Sequence, residues 1–157
     1  MLTFKEGLLS PVAHDLRLRV TRFEIEVSDA ITATFDATSL VVDTPMKDGR
    51  ENPSALSPAD RAKIAGQIRD DVLHAAKYPR VTFRSRALTR RVDGGYDVEG
   101  ELTLHGVTKR LDVQTRLVEG RQQLELTLHQ PAYGITPYRA MLGTLKIQPD
   151  VIVRITA

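Results

Sequence analysis

Four histidines, His14, His74, His105 and His129, are the side chains here best suited to moving a proton or holding a metal near neutral pH. Their spacing forms no H-x-x-x-H or H-E-x-x-H pair, so metal binding has no local signature, and only positions remote in sequence could converge on one. No metal ligand is assigned. His14 stands beside Asp15, and such a pair can orient an imidazole as a general base. The same pair can instead supply a hydrogen bond that fixes the start of a strand, and that structural reading is preferred. His105, just before Gly106, reads as a turn residue bonded to backbone. Asp70 and Asp71 are adjacent, point to different helix faces and share no proton. Arg90 and Arg91 read as a solvated edge near a hairpin end. No G-x-S-x-G elbow and no glycine-rich phosphate loop occurs, and the absence of cysteine removes thiol chemistry and disulfides. The chain therefore reads as a non-enzyme with no cofactor. A hydrolase-type enzyme using His14 or His105 is the lesser alternative.

The elements that would carry these side chains are mostly strands. Leu16, Leu18 and Val20 alternate with Asp15, Arg17 and Arg19. Phe23, Ile25 and Val27 alternate in the opposite phase, which puts a bulge, bend or turn at Thr21-Arg22. Ile31, Ala33, Phe35 and Ala37 form the next run, and Leu40 to Val42 continue it after another slip. Polar residues with Pro45, Gly49 and Pro53 read as a loop from Thr44 to Asn52. Val81, Phe83, Ser85 and Ala87 alternate, Asp93-Gly94-Gly95 makes a hairpin turn, and Tyr96, Val98, Gly100, Leu102 and Leu104 share one face. Beyond Gly106 the pattern restarts with Val107, Leu111, Val113, Thr115 and Leu117. Leu124, Leu126 and Leu128 follow, then an irregular stretch from Pro131 to Gly143, and a last strand carrying Val151, Val153 and Ile155.

One helix interrupts the strands. Ser57 can cap it, Pro58 suits its first position and Asp60 favours the positive end of its dipole. Ile64, Ile68, Val72 and Ala76 recur at four-residue steps opposite Arg61, Lys63, Gln67, Asp70 and Lys77. The helix is expected to break near Asp70-Asp71 and to end before Pro79.

At 157 residues the chain is read as a single domain, residues 1–157, with a real core. Its 22 basic and 20 acidic residues leave a net charge of +2, and aromatics are too sparse to interleave a basic patch, so nucleic acid is not an expected partner. No window approaches the ~20 apolar residues of a spanning helix, so no integral membrane segment is expected. Glu6 and Gly7 interrupt any apolar leader. With Met1 as the native start the chain is read as cytoplasmic, or as periplasmic if a leader has been trimmed.

Several segments carry a further signal. G-Y-D-V-E-G-E-L-T-L-H-G-V-T-K from Gly95 to Lys109 is similar to the G-x-L-T-L-x-G-V-T-K/R segment of the YceI-like family, which includes periplasmic polyisoprenoid-binding proteins. K-Y-P-R-V-T-F-R-S from Lys77 to Ser85 resembles the family's K-Y-P-x-x-x-F-x-S. A-T-S-L-V-V-D-T from Ala37 to Thr44 resembles its A-x-S-I/L-x-x-D. His14 stands in the place of an early P-x-H-S, and Tyr133-Gly134-Ile135 resembles a late F-G-I. The departures are a short region from Leu16 to Ile31, I-R-D-D-V-L-H-A-A in place of an aromatic-bearing segment before K-Y-P, and P-Y-R-A-M-L-G-T-L after Tyr133-Gly134-Ile135. The resemblance implies a lipocalin-like barrel with a helix, often dimeric, enclosing a long isoprenoid or other lipid-like amphiphile, with no established catalytic apparatus.

The expected architecture is mainly β: an eight-stranded antiparallel barrel with one amphipathic helix. Its strand interiors use Leu, Val and Ala with few bulky rings, so the tube is expected to be underfilled. An underfilled apolar tube favours an aliphatic guest by about 25 cal/mol per Å² buried. The expected wall is Leu16, Leu18, Val20, Phe35, Phe83, Val98, Leu102, Leu104, Leu111, Val113, Leu124 and Leu126. Tyr133, Tyr138 and Met141 are expected to gate an end. The expected partner is an apolar small molecule, such as an isoprenoid, a quinone or a fatty-acid-like compound, held for transport or stress response, in a possible homodimer. The alternative is a packed, self-associating barrel without a ligand.

Overall fold

A computed structural model describes residues 1–3, 5–6, 14–140 and 145–157. In chain order the strands are β1 (Leu2–Thr3), β2 (Lys5–Glu6), β3 (Asp15–Val20), β4 (Phe23–Val27), β5 (Ile31–Asp36), β6 (Leu40–Lys47), β7 (Arg50–Glu51), β8 (Arg80–Arg90), β9 (Tyr96–Leu104), β10 (Val107–Val118), β11 (Arg121–His129), β12 (Arg139–Ala140), β13 (Leu145–Ile147) and β14 (Asp150–Thr156). Eleven form one antiparallel sheet in the order β4-β5-β8-β9-β10-β11-β14-β1-β3-β6-β7. The other three, β12, β13 and β2, make a small separate sheet.

The sheet is mainly β and antiparallel as expected, but it is not a ladder closed on eight strands. Its end strands, β4 and β7, do not pair with each other. The chain itself wraps the two ends together. β3 runs into β4 through Thr21-Arg22, and β5 runs into β6 through a 3-10 turn at Ala37–Ser39, so β3–β4 and β5–β6 form one ribbon folded at a corner. Within it β3 pairs with β6, and β4 pairs with β5. Buried Ser39 stitches the fold. Its hydroxyl accepts from the N–H groups of Thr21 (3.1 Å) and Arg22 (2.9 Å) and donates to the Asp36 carbonyl (2.8 Å). The bend read at Thr21-Arg22 is this corner.

Two expectations change on contact with the fold, and a third is met. Thr44 to Lys47 is not loop; it continues β6, and a tight turn at Asp48-Gly49 leads to β7. Pro45 is tolerated there because its carbonyl still accepts from Asn52 N–H (2.9 Å) while the ring is fully buried. In β8 the register shifts between Ser85 and Ala87. That bulge reverses the phase, so Ala87 is exposed and Leu88 takes the inward place. The helix α1 spans Pro58–Gln67 and passes into a π-turn at Ile68–Val72, which is where the sequence predicts a break.

Helix α1 begins as its residues dictate. Ser57 and Asp60 form a reciprocal capping box with Pro58 in the first turn. Its apolar stripe packs against β3 and β6: Ala65, with Ile64 and Ile68, lies on Leu16, Leu18, Leu40 and Val42. A second cluster joins Val72 to Leu102, Tyr133 and Ile135. The helix and its π-turn thus cover one side of the curled sheet.

Candidate functional site

The pleat sends alternate side chains to opposite faces, so each curled strand contributes every second residue to a shared interior. That interior is a cavity of about 870 Å³. All twelve expected wall residues line it: Leu16, Leu18, Val20, Phe35, Phe83, Val98, Leu102, Leu104, Leu111, Val113, Leu124 and Leu126. Ile64, Ile68, Val72 and Leu73 from the helical segment complete the lining. Ile25, Val81, Val151, Val153 and Ile155 also line it, and their period-two runs carry the same signal as the twelve.

Gly100 interrupts the inward face of β9 for a packing reason. A Cβ there would lie 2.4 Å from Phe83 Cζ and 2.6 Å from the Arg84 carbonyl oxygen. The Phe83 ring therefore spreads across the space a side chain would fill, and becomes wall itself.

The lining also carries polar residues, among them His14, Gln67, Thr115, Gln122, Arg19 and Arg154. Thr115 donates to Gln122 Oε1 (2.6 Å) and accepts from Tyr96 N–H (2.9 Å), while Gln122 donates to the Gly94 carbonyl (3.0 Å). These bonds engage Thr115 and Gln122 within the protein. Arg19 and Arg154 also touch the cavity, but their guanidinium groups pair with Asp43 (3.4 Å) and Glu125 (2.5 Å). The wall offers an apolar guest a hydrocarbon surface with no unmatched charge among these groups.

The cavity meets solvent along β4. Phe23 and Val27 line it yet are 58% and 67% exposed. Phe23 stacks on Phe35 with ring centroids 6.0 Å apart. Because β4 ends the ladder, none of the described strands pairs along its outer edge. The expected gate needs correction. Tyr138 does line the cavity, but Tyr133 is not part of the lining: it is 4% exposed, packed with Val72, Leu102 and Ile135, and burial pushes its phenol pKa up. Met141 lies outside the described residues.

The histidines fall in separate places. His14 lines the cavity. His129 pairs with Asp150 at 2.6 Å on the surface. His74 and His105 meet on a smaller groove of about 660 Å³ with Asp70, Lys77 and Tyr78, outside the main cavity. His105 does bond to backbone at its turn, through Nδ1 and the Tyr133 carbonyl (3.2 Å). Among the described residues no cluster of three His, Cys, Asp or Glu side chains is placed to hold a metal, and no helix is long and apolar enough to cross a membrane.

The segments singled out in the sequence also converge. Ala37 N–H donates to the Pro79 carbonyl (2.8 Å), and the Tyr78 ring sits 4.3 Å from the His105 ring and closes over Gly106. The YceI-like domain matches this chain over residues 7–157. The chain belongs to the YceI-like family. Protein YceI of Escherichia coli is 42% identical over 48 residues, which is 31% of this chain and 25% of that protein. The matched stretch thus spans about a quarter of that relative's length. Among solved structures, a polyisoprenoid-binding domain from Saccharophagus degradans superimposes with a TM-score of 0.63 at 16% identity, covering 99% of this chain and 89% of that one. BcnA from Burkholderia cenocepacia gives 0.61 at 15%, covering 99% and 92%. At these identities the likeness to solved structures is one of fold. For this YceI-like chain it agrees with the curled antiparallel sheet and the helix laid across it.

Proposed function

We propose that this protein binds a lipid-like or isoprenoid-like amphiphile inside its curled sheet, as a carrier or sequestering protein and not as an enzyme. The observation that carries the reading is the cavity of about 870 Å³ walled by Leu, Val and Ile side chains. That volume lies in the ~300–1,000 Å³ range of small-molecule sites. Each methylene moved from water into it contributes about 0.8 kcal/mol, and no rearrangement of wall charges is needed. The Saccharophagus degradans neighbour is described as polyisoprenoid-binding, which supports an aliphatic guest of the same class. The half-exposed β4 face gives a route by which a long chain enters, its polar end left at Phe23 and Val27 in water.

The non-enzymatic reading is supported by where the histidines lie. His14 lies at the main cavity and His105 at the smaller groove, so the two do not form a shared acid–base pair. A role in transport or stress response, a cytoplasmic location and a homodimeric state belong to the same proposal.

Titration with a fluorescent polyene fatty acid tests the reading. Saturable uptake by the wild-type protein is expected. Val153→Phe with Leu126→Trp, two changes that fill the lumen from adjacent strands, should lower that affinity at least tenfold while the circular dichroism spectrum stays β. Uptake that is absent in the wild type, or equal in the filled variant, would overturn it.

A further inference from the structure

Outside the lipid cavity, two imidazoles face each other across a groove that the proposed binding function does not use. His74 Nδ1 lies 3.1 Å from His105 Nε2. His74 follows the π-turn that ends the helical segment, and His105 occupies the β9–β10 turn, so the contact joins elements 31 residues apart. Both residues hold left-handed backbone, with φ of 45° at His74 and 52° at His105. That region is sparsely used by non-glycine residues, and its occupancy often marks a functional constraint.

The proton positions follow from the partners. A backbone carbonyl can only accept, so the bond from His105 Nδ1 to the Tyr133 oxygen (3.2 Å) places the His105 proton on Nδ1. His105 Nε2 is then a lone pair aimed at His74. An imidazole whose second nitrogen donates to a backbone carbonyl is the arrangement that orients histidine metal ligands. The Tyr78 ring, 4.3 Å from the His105 ring, and the bond to the Tyr133 carbonyl hold the imidazole in place.

We propose that His74 Nδ1 and His105 Nε2 form a two-histidine site for an imidazole-preferring divalent transition metal such as Ni²⁺, Cu²⁺ or Zn²⁺. Metal–nitrogen bonds of about 2.0–2.1 Å span the distance between the two atoms once the rings turn toward a common point. At that length the observed 3.1 Å separation corresponds to an N–metal–N angle of about 100°. Two adjustments are needed: both rings turn so that their lone pairs leave the N···N line and converge on the metal, and the proton now on His74 Nδ1 moves to its Nε2, with no net charge lost. The remaining metal positions would be taken by water. Asp70 lines the same groove and Lys77 lies beside it with its ammonium over the Tyr78 ring, 5.1 Å from the centroid. Two protein ligands with a nearby cation make a site of modest affinity that exchanges metal readily. Occupancy clips the end of the helical segment, whose Ile68, Val72 and Leu73 line the main cavity, to the β9–β10 turn.

Calorimetric titration of the untagged full chain with Ni²⁺ tests the site, with the Cu²⁺ electron paramagnetic resonance spectrum as a second readout. One equivalent of saturable Ni²⁺ binding, a rise in melting temperature on adding it, and a copper spectrum showing two nitrogen ligands are expected. His74→Asn and His105→Asn should each weaken Ni²⁺ at least tenfold. Asparagine tolerates the left-handed backbone and, before Gly106, suits the two-residue hairpin turn, so both variants keep the fold. His129→Asn, which alters the surface pair with Asp150, should leave Ni²⁺ binding unchanged. Absence of saturable binding, or binding that survives both His74→Asn and His105→Asn, would overturn the site.

Discussion

Phe83 and Gly100 show how much of the cavity's shape rests on single atoms. The ring of Phe83 forms wall only because Gly100 carries no side chain beneath it. Gly100→Ala should push the ring off its rotamer and destabilise the protein by about 1–3 kcal/mol, the ordinary cost of overpacking, as read from urea unfolding. In a Phe83→Ala background the same change should cost less by the ring's share, while the 2.6 Å approach of the new Cβ to the Arg84 carbonyl oxygen remains. Equal costs in both backgrounds would show that the strain lies in the backbone at Arg84 instead. At this scale the sequence was legible wherever a strand was regular. The pleat fixes side-chain phase, so Leu16, Val98 and Leu124 could be assigned to one interior without a structure. It was illegible where the phase depends on a distant contact. Ala87 changes face because of a bulge whose Ser85 hydroxyl accepts from Ile31 N–H at 2.8 Å. Tyr133 leaves the mouth because a 3-10 turn at Gln130–Tyr133 folds it into the core. The His74–His105 contact is set by the packing of a helix end against a hairpin, and no local pattern encodes it.

At the scale of elements, the corner of the β3–β4/β5–β6 ribbon does what a closed ladder would do elsewhere. Ser39→Ala would leave the Thr21 and Arg22 N–H groups without their hydroxyl acceptor. A loss of about 1–3 kcal/mol is expected for such a partly buried polar pair, and hydrogen exchange of β4 and β5 should quicken before that of β9 and β10. The start of α1 was the best-read boundary in the chain, since capping chemistry is local. That chemistry also makes a pH prediction. The Ser57 hydroxyl, donating to Asp60 at 2.6 Å, holds the Asp60 carboxyl below its ordinary pKa, helped by the Ser57 backbone N–H. A depressed folded-state pKa contributes stability that is fully present above the unfolded aspartate range, near about pH 4, and is lost as pH falls through the lower folded value. Ser57→Ala should therefore lower the melting temperature at neutral pH, and the gap from wild type should narrow as the pH falls below about 4. A gap that widens on acidification would contradict this reading of the cap. How the sheet's ends meet was the least legible feature at this scale. Alternation shows that each strand has an apolar face, but not which strands become neighbours or whether the last ones pair.

For the molecule as a whole, the central feature is an apolar interior larger than its own side chains fill. Sparse aromatics in the strand interiors pointed to this space, and the cavity of about 870 Å³ agrees with that expectation. The guest itself was not legible, because hydrophobic transfer rewards buried area with little regard to which aliphatic chain supplies it. Chemical identity would have to be read from polar groups of the lining, and of these Thr115, Gln122, Arg19 and Arg154 are engaged with protein partners. Under the proposed function this space holds a lipid-like molecule. Native mass spectrometry of protein purified without detergent, followed by organic extraction, measures this most directly. A complex heavier than the polypeptide by one amphiphile is expected, with an extract that yields a long aliphatic or isoprenoid chain. A bare polypeptide mass, an empty extract and no uptake of added polyene fatty acid would contradict it.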